Sequence, residues 1–408
     1  MKIVYHHRTQ GRGAEGVHIT SVVRVLEGLG YSVDLLSPPG VDPRQEAGSY
    51  LYTDTSMKHS PSRLLWRFLS RHAPQIVFEI AEFCFNFLDL PRLFYQTSKK
   101  RIDLVYERYA FCLWAGAYFC SVKKIPLILE VNEVCGIERA RKQILTPLMR
   151  SIEAYVCSRA DTIVVVSSFL RDTLLSRGVA AAKIVVIPNG VDHEKFHPQA
   201  GDAATTPAWR GAGVVFGFAG WIDPWDEIPF LIDVFEEVHR MRPEARLVVV
   251  GKVVGDGSGL DELKKGIQSR GLERAVFFPG AVPRERMPET IALIDVGVIP
   301  HSNPFGSPVV LFEFMASGKP VIAASLGPLR DVLTHGLNGF LFPPHDRGAL
   351  KNAMLQMIDD SQLRIAAGMA ARKCVLEEHT WEEKVKKILA LHALLRFRVG
   401  DVYGVRLV

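Results

Sequence analysis

Short apolar, β-branched runs alternate with longer amphipathic stretches along the whole chain. In the first half the runs are Ile3–Tyr5, Val33–Leu36, Leu104–Tyr106, Leu127–Val131, Thr162–Val166 and Ile184–Ile187. In the second half they are Val214–Phe218, Arg246–Val250, Ala275–Phe278, Val296–Ile299, Val321–Ala323 and Gly339–Phe342. A strand that is apolar along its length, rather than at every second position, is buried on both faces, and helices between such strands make the sheet parallel. The pattern predicts an α/β chain with two doubly wound, Rossmann-like sheets, separated by a Gly/Ala/Thr/Pro-rich linker at 199–213. The expected domains are 1–198 and 214–380, with 381–408 as a closing helix and tail packing back toward the N-terminal domain. Ligand is expected where the two domains face across a cleft, beyond the carboxyl ends of the strands.

Periodicity and capping signals place three helices. Val17 to Leu29 carries Val17, Val22, Val25, Leu26 and Leu29 on one face and stops at Gly30. Pro308 to Ser317 opens with Ser307 as N-cap and Pro308 at the first position, and Gly318 closes it. A last helix runs from Trp381 to about Arg398 after Thr380. Residues 58–101 interleave Arg63, Arg67 and Arg71 with Leu64, Leu65, Trp66 and Phe68, then continue through FEIAEFCFNFLDLPRLFYQ to Lys99-Lys100-Arg101. Two readings stand: an interfacial segment in contact with an anionic membrane, or an inserted helical pair whose aromatics fill the N-terminal core.

The 408 residues, 48% hydrophobic and 23% charged, exclude a disordered chain and allow two or three domains. The net charge of +5 is unevenly placed: residues 1–198 hold 25 Lys+Arg against 19 Asp+Glu (+6), and residues 199–408 hold 24 against 25 (−1). That excess is too dilute for a nucleic-acid-binding domain but suits an anionic substrate or lipid. No secretion-signal pattern opens the chain, and the longest apolar stretch, Phe111 to Cys120, is half a bilayer span. The six cysteines form no C-x-x-C pair, so reduced thiols and a cytoplasmic location are expected, with peripheral contact at the inner face of a membrane left open by residues 58–101.

The segment FGSPVVLFEFMASGKP at 305–320 carries the most chemistry. A Gly-Ser-Pro turn entering a helix leaves the first backbone N–H groups unpaired at the positive end of the helix dipole, which suits a diphosphate. Glu313 on that helix can accept bonds from two vicinal ribose hydroxyls, or be a solvated surface charge. No Asp-x-Asp occurs and no zinc site is read from the 13 His, so no metal and no cofactor are expected. His6, His7 and His18 lie near the ends of the first strand and the start of the first helix, either close to an acceptor or filling the core.

Three stretches, SSFLRDTLLSRGVAAAKIVVIPNGVDHEKF at 167–196, LFEFMASGKPVIAASLGPLRDVLTHGLNGFLFPPHD at 311–346, and LVYERYAF to PLILEVNEV within 104–134, resemble retaining glycosyltransferases of family 4, which have the GT-B architecture. The resemblance covers essentially the whole chain, and Ile187 to Asp192 and Glu313 to Val321 are its specific motifs. It implies that Glu313 binds the nucleotide ribose, and that the backbone of Ser307, Pro308, Val309 and Val310 holds the diphosphate. It further implies that Gly13 belongs to a glycine loop over the phosphates and that Val282 meets the base through its backbone. Asp331 stands where a Glu is usual.

Four positions depart from the family pattern. Phe305 replaces the Glu that contacts the donor sugar, so either sugar recognition differs or that task falls to the backbone of Phe305 and Gly306. Trp221 and Asp226 replace an Arg and a Lys that neutralise the diphosphate, with Lys252 and Arg284 as candidate substitutes. Asn132 stands at about the place of a His near the donor anomeric carbon. Close by, Glu130 and Glu133 either assist an acceptor hydroxyl or pair with Arg108 or Arg139. The activity implied is transfer of a hexose from a UDP- or GDP-sugar, with retention and without metal, to a glycan acceptor, lipid-linked, in polysaccharide biosynthesis. The alternative is a catalytically weak or inactive homologue that binds and stabilises another glycosyltransferase. A nucleotide-sugar epimerase of the same architecture is disfavoured by the Gly-Val-Asp and Met-Ala-Ser-Gly-Lys-Pro contexts.

Overall fold

The structure, a computed structural model, describes residues 1–11, 13–46, 74–99, 101–137, 143–200, 210, 213–222, 224–253 and 258–402. The Arg63, Arg67 and Arg71 segment, Arg139 and most of the expected linker lie outside the described residues. The chain forms two compact units, Met1–Ile187 with Val385–Val408, and Pro188–Lys384.

The first unit is a six-stranded parallel sheet of β1 (Lys2–His6), β2 (Ser32–Leu36), β3 (Leu104–Arg108), β4 (Leu127–Val131), β5 (Thr162–Val165) and β6 (Ile184–Val186), in the order β2-β1-β3-β4-β5-β6. Its helices are α1 (Gly13–Gly28), α2 (Pro43–Glu46), α3 (Gln75–Lys99), α4 (Ala115–Lys123), α5 (Thr146–Arg159) and α6 (Ser168–Ser176). Both β3 and β4 are buried at every position, as their unbroken apolar runs require.

Helix α3 reverses the usual amphipathic arrangement. Glu79, Asn86 and Asp89, spaced along one helical face, are buried, while Ile80, Phe87, Leu88 and Tyr95 are exposed. The buried face is polar because it caps other helices. Glu79 accepts the N–H groups of Ile144 and Leu145 (2.9 and 2.7 Å) ahead of α5. Asn86 Oδ1 accepts those of Trp114 and Ala115 (2.8 and 2.9 Å) at the start of α4. Neither helix carries a side-chain cap of its own, so tertiary contacts satisfy their orphan donors. Part of the expected aromatic core filling in 58–101 is thereby corrected, since Phe87 and Tyr95 face outward.

The second unit repeats the plan with β7 (Val215–Ile222), β8 (Arg246–Val253), β9 (Val276–Gly280), β10 (Val296–Ile299), β11 (Val321–Ala324) and β12 (Phe340–Phe342), all parallel, in the order β12-β11-β10-β7-β8-β9. Helices α7 (Ile228–Met241), α8 (Ser258–Ser269), α9 (Met287–Ala292), α10 (Val309–Ala316), α11 (Gly327–Arg330), α12 (Arg347–Asp359) and α13 (Ser361–Glu378) accompany them. Its sheet is packed on both faces: one cluster includes Phe216, Phe235, Leu247 and Met354, the other Val215, Val248, Phe312 and Phe314.

The unit boundary falls at Ile187 rather than at 198, because the segment after β6 is bonded into the second unit. Val191 N–H donates to His379 O (3.0 Å), and Val191 pairs with Thr380 as an isolated bridge. Gly190 permits that approach, since a Cβ there would stand 2.9 Å from the Trp381 nitrogen. The last helix, α14 (Trp381–Val402), starts with Thr380 Oγ1 accepting the Glu383 N–H (3.1 Å). From Val385 onward it belongs to the first unit, where His392 Nδ1 lies 2.9 Å from Thr162 Oγ1.

Candidate active site

In each sheet the winding reverses at one place, between β1 and β3 and between β7 and β10. Loops diverge there beyond the carboxyl ends of the strands, which is where open α/β sheets bind ligands. Each unit presents its polar chemistry at that edge.

In the second unit, Ser307 does not cap α10. Its Oγ accepts the Asn189 N–H (3.0 Å) and its carbonyl accepts Asn189 Nδ2 (2.8 Å), so Pro308 occupies the N-cap position without a side-chain cap bond. The Ile187-to-Asp192 motif is therefore a brace for the Ser307 turn, and Lys384 Nζ closes it with a contact to Asn189 Oδ1 at 3.4 Å. The first-turn amides of Val309 and Val310 precede any carbonyl that could accept them within the helix. The backbone amides of Phe305 and Gly306 both donate to Asn303 Oδ1 (3.2 and 2.5 Å). The expectation that these amides are available to the donor sugar is corrected, because the Asn303 side chain folds the loop back onto them.

Glu313 is 2% exposed, not a solvated charge. Helix α10 is buried around its whole circumference from Leu311 to Ala316, so a carboxylate there needs a cation, and Arg284 supplies it in an ion pair. The same guanidinium lies 4.9 Å above the Phe196 ring. Arg284 thus serves Glu313, which corrects its assignment as a stand-in for a diphosphate cation. Lys252 is exposed on β8, in register with Trp221 on β7, while Val282 packs against the hydrophobic core just past β9.

In the first unit, Gly13 opens α1 in a left-handed conformation (φ +58°) and is buried. With Gly11 and Gly16 it has the G-x-G-x-x-G spacing of a strand-to-helix turn. Glu130, at the end of β4, is fully buried: Tyr106 Oη donates to Oε2 (2.8 Å) and His18 Nε2 lies 2.9 Å from Oε1. Arg108 donates to His18 Nδ1 (2.8 Å), which leaves the ring proton on Nε2. Tyr106 and His18 thus meet Glu130 where a pair with Arg108 was the structural expectation. Asn132, just beyond, is half-buried, and its Nδ2 is buried without a hydrogen-bond partner among the described residues.

A second buried network beside it escaped sequence reasoning. His6 Nδ1 lies 2.6 Å from Glu107 Oε2 and its Nε2 lies 2.5 Å from Asp89 Oδ2. Burial alone lowers the imidazole's proton affinity, but the two carboxylates outweigh it and hold the pKa at about 10, so His6 is a cation. Asp89 is held below the ordinary carboxylate range: burial opposes this, and His6 and Arg92 overcome it. His7, next along, is pushed down to about 3 by burial and by the neighbouring charges of His6 and Arg108, and stays neutral. Asp89 is 83 residues from His6 in sequence, so no local spacing announces the pair.

Among the described residues one further cluster joins groups from separate loops: Glu227, His301 and His345, with one ligand atom each, all within 4.8 Å of one another. No spacing motif relates them. The His193/His197 pair does have helical spacing, but its residues lie in turns.

Comparison with known proteins places these edges in a family. Residues 15–195 match the family described as Glycosyltransferase Family 4, and residues 207–374 match Glycosyl transferases group 1. The chain belongs to glycosyltransferase family 4. Among its relatives is a D-inositol 3-phosphate glycosyltransferase of Kineococcus radiotolerans, 29% identical over 298 residues, 68% of each chain. Another is a GDP-mannose-dependent alpha-(1-6)-phosphatidylinositol monomannoside mannosyltransferase of Mycobacterium tuberculosis, 26% identical over 252 residues, 60% of this chain and 64% of that one. The chain spans about two thirds of the length of the curated relatives it matches. Its fold is GT-B: Anabaena HepE in complex with UDP superposes with a TM-score of 0.67 at 19% identity, over 96% of this chain and 99% of that one. A glycosyltransferase of Rickettsia africae gives 0.71 at 15% identity, over 97% and 98%.

Proposed function

We propose that this family 4 protein transfers a hexose from a UDP- or GDP-sugar to a hydroxyl of a glycan acceptor, lipid-linked, with retention at the anomeric carbon. The acceptor oxygen bonds to the anomeric carbon as the bond to the diphosphate breaks, and the acceptor's proton passes to a diphosphate oxygen. The observation that carries the reading is Glu313, a buried carboxylate held by Arg284 on the helix that starts at Ser307-Pro308. Such a fixed acceptor pair suits two vicinal ribose hydroxyls, and the first-turn amides of α10 suit the diphosphate. Bound UDP in one fold relative and GDP-mannose dependence in the name of another support a nucleoside diphosphate donor.

The lipid-linked acceptor rests on the first unit. It holds the basic excess, and the outward face of α3 exposes Ile80, Phe87, Leu88 and Tyr95, an apolar surface suited to the acyl boundary of a membrane. No helix among the described residues is long and apolar enough to cross one.

Calorimetry with UDP and GDP tests the donor half. Wild type binds one of them, and Glu313→Ala weakens that binding at least tenfold; equal affinity refutes the ribose role. A panel of labelled donors with membrane lipid extract tests the reaction and yields a labelled glycolipid. Nucleotide binding without turnover across the panel favours the second reading, a non-catalytic partner, for which Trp221, Asp226, Phe305 and Asn132 speak.

A further inference from the structure

We infer that Glu227, His301 and His345 form a binding site for one first-row divalent cation of the zinc class. Each residue comes from a different loop at the carboxyl edge of the second sheet. Glu227 follows β7, His301 follows β10 and His345 follows β12, so the first two flank the place where the winding reverses.

Two imidazoles and a carboxylate are the donor set of three-ligand zinc sites, in which a fourth position stays open. The three donor atoms lie within 4.8 Å of one another, and His345 Nδ1 is 3.1 Å from Glu227 Oε2. Closing them onto a tetrahedral ion requires side-chain movement on the order of 1 Å, which His345, 64% exposed, is free to make.

Three further features fit a ligand set. His301 Nδ1 donates to the Trp225 carbonyl (2.9 Å), which fixes the ring and turns Nε2 outward, as metal-binding histidines are commonly held. Glu227 Oε2 is a buried atom with no hydrogen bond, met by the ion-pair approach of His345 Nδ1. Both Glu227 (φ +49°) and His345 (φ +63°) hold left-handed backbones, a conformation that residues with a Cβ rarely adopt. The rings of His301 and His345 stack at 5.4 Å, and Phe230 packs edge-on against His345 at 6.5 Å, so the aromatic groups are ordered side by side.

The position has a chemical consequence that rests on the nucleotide-sugar reading. Trp221, at the end of β7, and Asp226, next to Glu227 on the loop that follows it, supply no positive charge, and a divalent ion with an open position would place one there for an anionic oxygen.

The test uses the full chain, freed of metal and titrated with Co2+ and with Zn2+. One equivalent is expected, with the visible d–d absorption of four-coordinate Co2+. His345→Ala, a change at an exposed side chain, and Glu227→Gln should each weaken binding at least tenfold while circular dichroism stays that of wild type. Absence of a stoichiometric site, or full binding in both variants, overturns the assignment. UDP and GDP titrated into the metal-free protein report on the donor reading separately: binding of either nucleotide without cobalt binding sinks the metal site alone, and cobalt binding with neither nucleotide bound sinks the donor reading alone.

Discussion

Gly116→Ala offers a direct test of the buried His6 network. An added Cβ at 116 would stand 1.6 Å from Glu107 Oε2 and 2.9 Å from His6 Nδ1, two atoms that are themselves 2.6 Å apart. Ordinary contact begins near 3.4 Å, so the carboxylate oxygen would have to retreat by about 1.8 Å, enough to abolish the hydrogen bond. Glu107 and His6 are both fully buried, and no solvent can replace the lost partner. Breaking one side of a buried pair costs about 3–5 kcal/mol. Alanine in place of glycine in a helix returns about 1 kcal/mol, so the net loss should be about 2–4 kcal/mol.

The pH dependence supplies a second signature. Because the His6 pKa is raised from 6.5 to about 10, its stabilisation is complete below pH 6.5 and is lost as pH rises through 10. One proton's difference between folded and unfolded states gives a slope of about 1.4 kcal/mol per pH unit over that window. Hydrogen exchange of β1 and β3 amides, with urea denaturation at several pH values, reads both quantities in the first unit. Wild type should lose protection between pH 6.5 and 10, and the variant should start lower with a shallower slope. Equal protection and an equal slope in the two proteins would refute the argument.

On the acid side stability should also fall, since His7, held near 3 in the fold, takes up a proton below pH 6.5 only on unfolding, and Asp89 loses its ion pair as it protonates; an acid urea series measures it. Glu79→Ala strips the acceptor from the Ile144 and Leu145 amides and should cost about 1–2 kcal/mol, read by exchange in α5. Gly190→Ala forces backbone apart at Trp381 and Thr380 and should lower the second unit's urea midpoint. Leu88→Asp, at a position 66% exposed, should leave stability within about 0.5 kcal/mol yet weaken sedimentation with anionic vesicles severalfold.

The strands were legible because burial on both faces, complete in β3, β4, β5, β10 and β11, leaves an apolar run with no alternation, a signal carried within five or so residues. Helix α14 and its Thr380 cap were legible for the same local reason. Glu313 could be singled out by its motif, but its chain context fitted a solvated charge as well as a ribose ligand, and only the packing of α10 decided that it is buried. The Ser307 cap failed because a serine before a proline looks the same whether its hydroxyl turns to its own helix or, as here, to Asn189 from a distant loop.

The sequence by itself determined the strands, their parallel arrangement and the family, since these follow from periodicity and contiguous motifs. Only the tertiary structure decided which charges meet. The partners of His6, Glu79, Glu130 and Glu313, and the Glu227, His301 and His345 cluster, are joined across tens of residues by strand-end loops and by an inside-out helix. A buried charge takes its partner from whatever the fold brings within 3 Å, and neither sequence spacing nor composition encodes that distance.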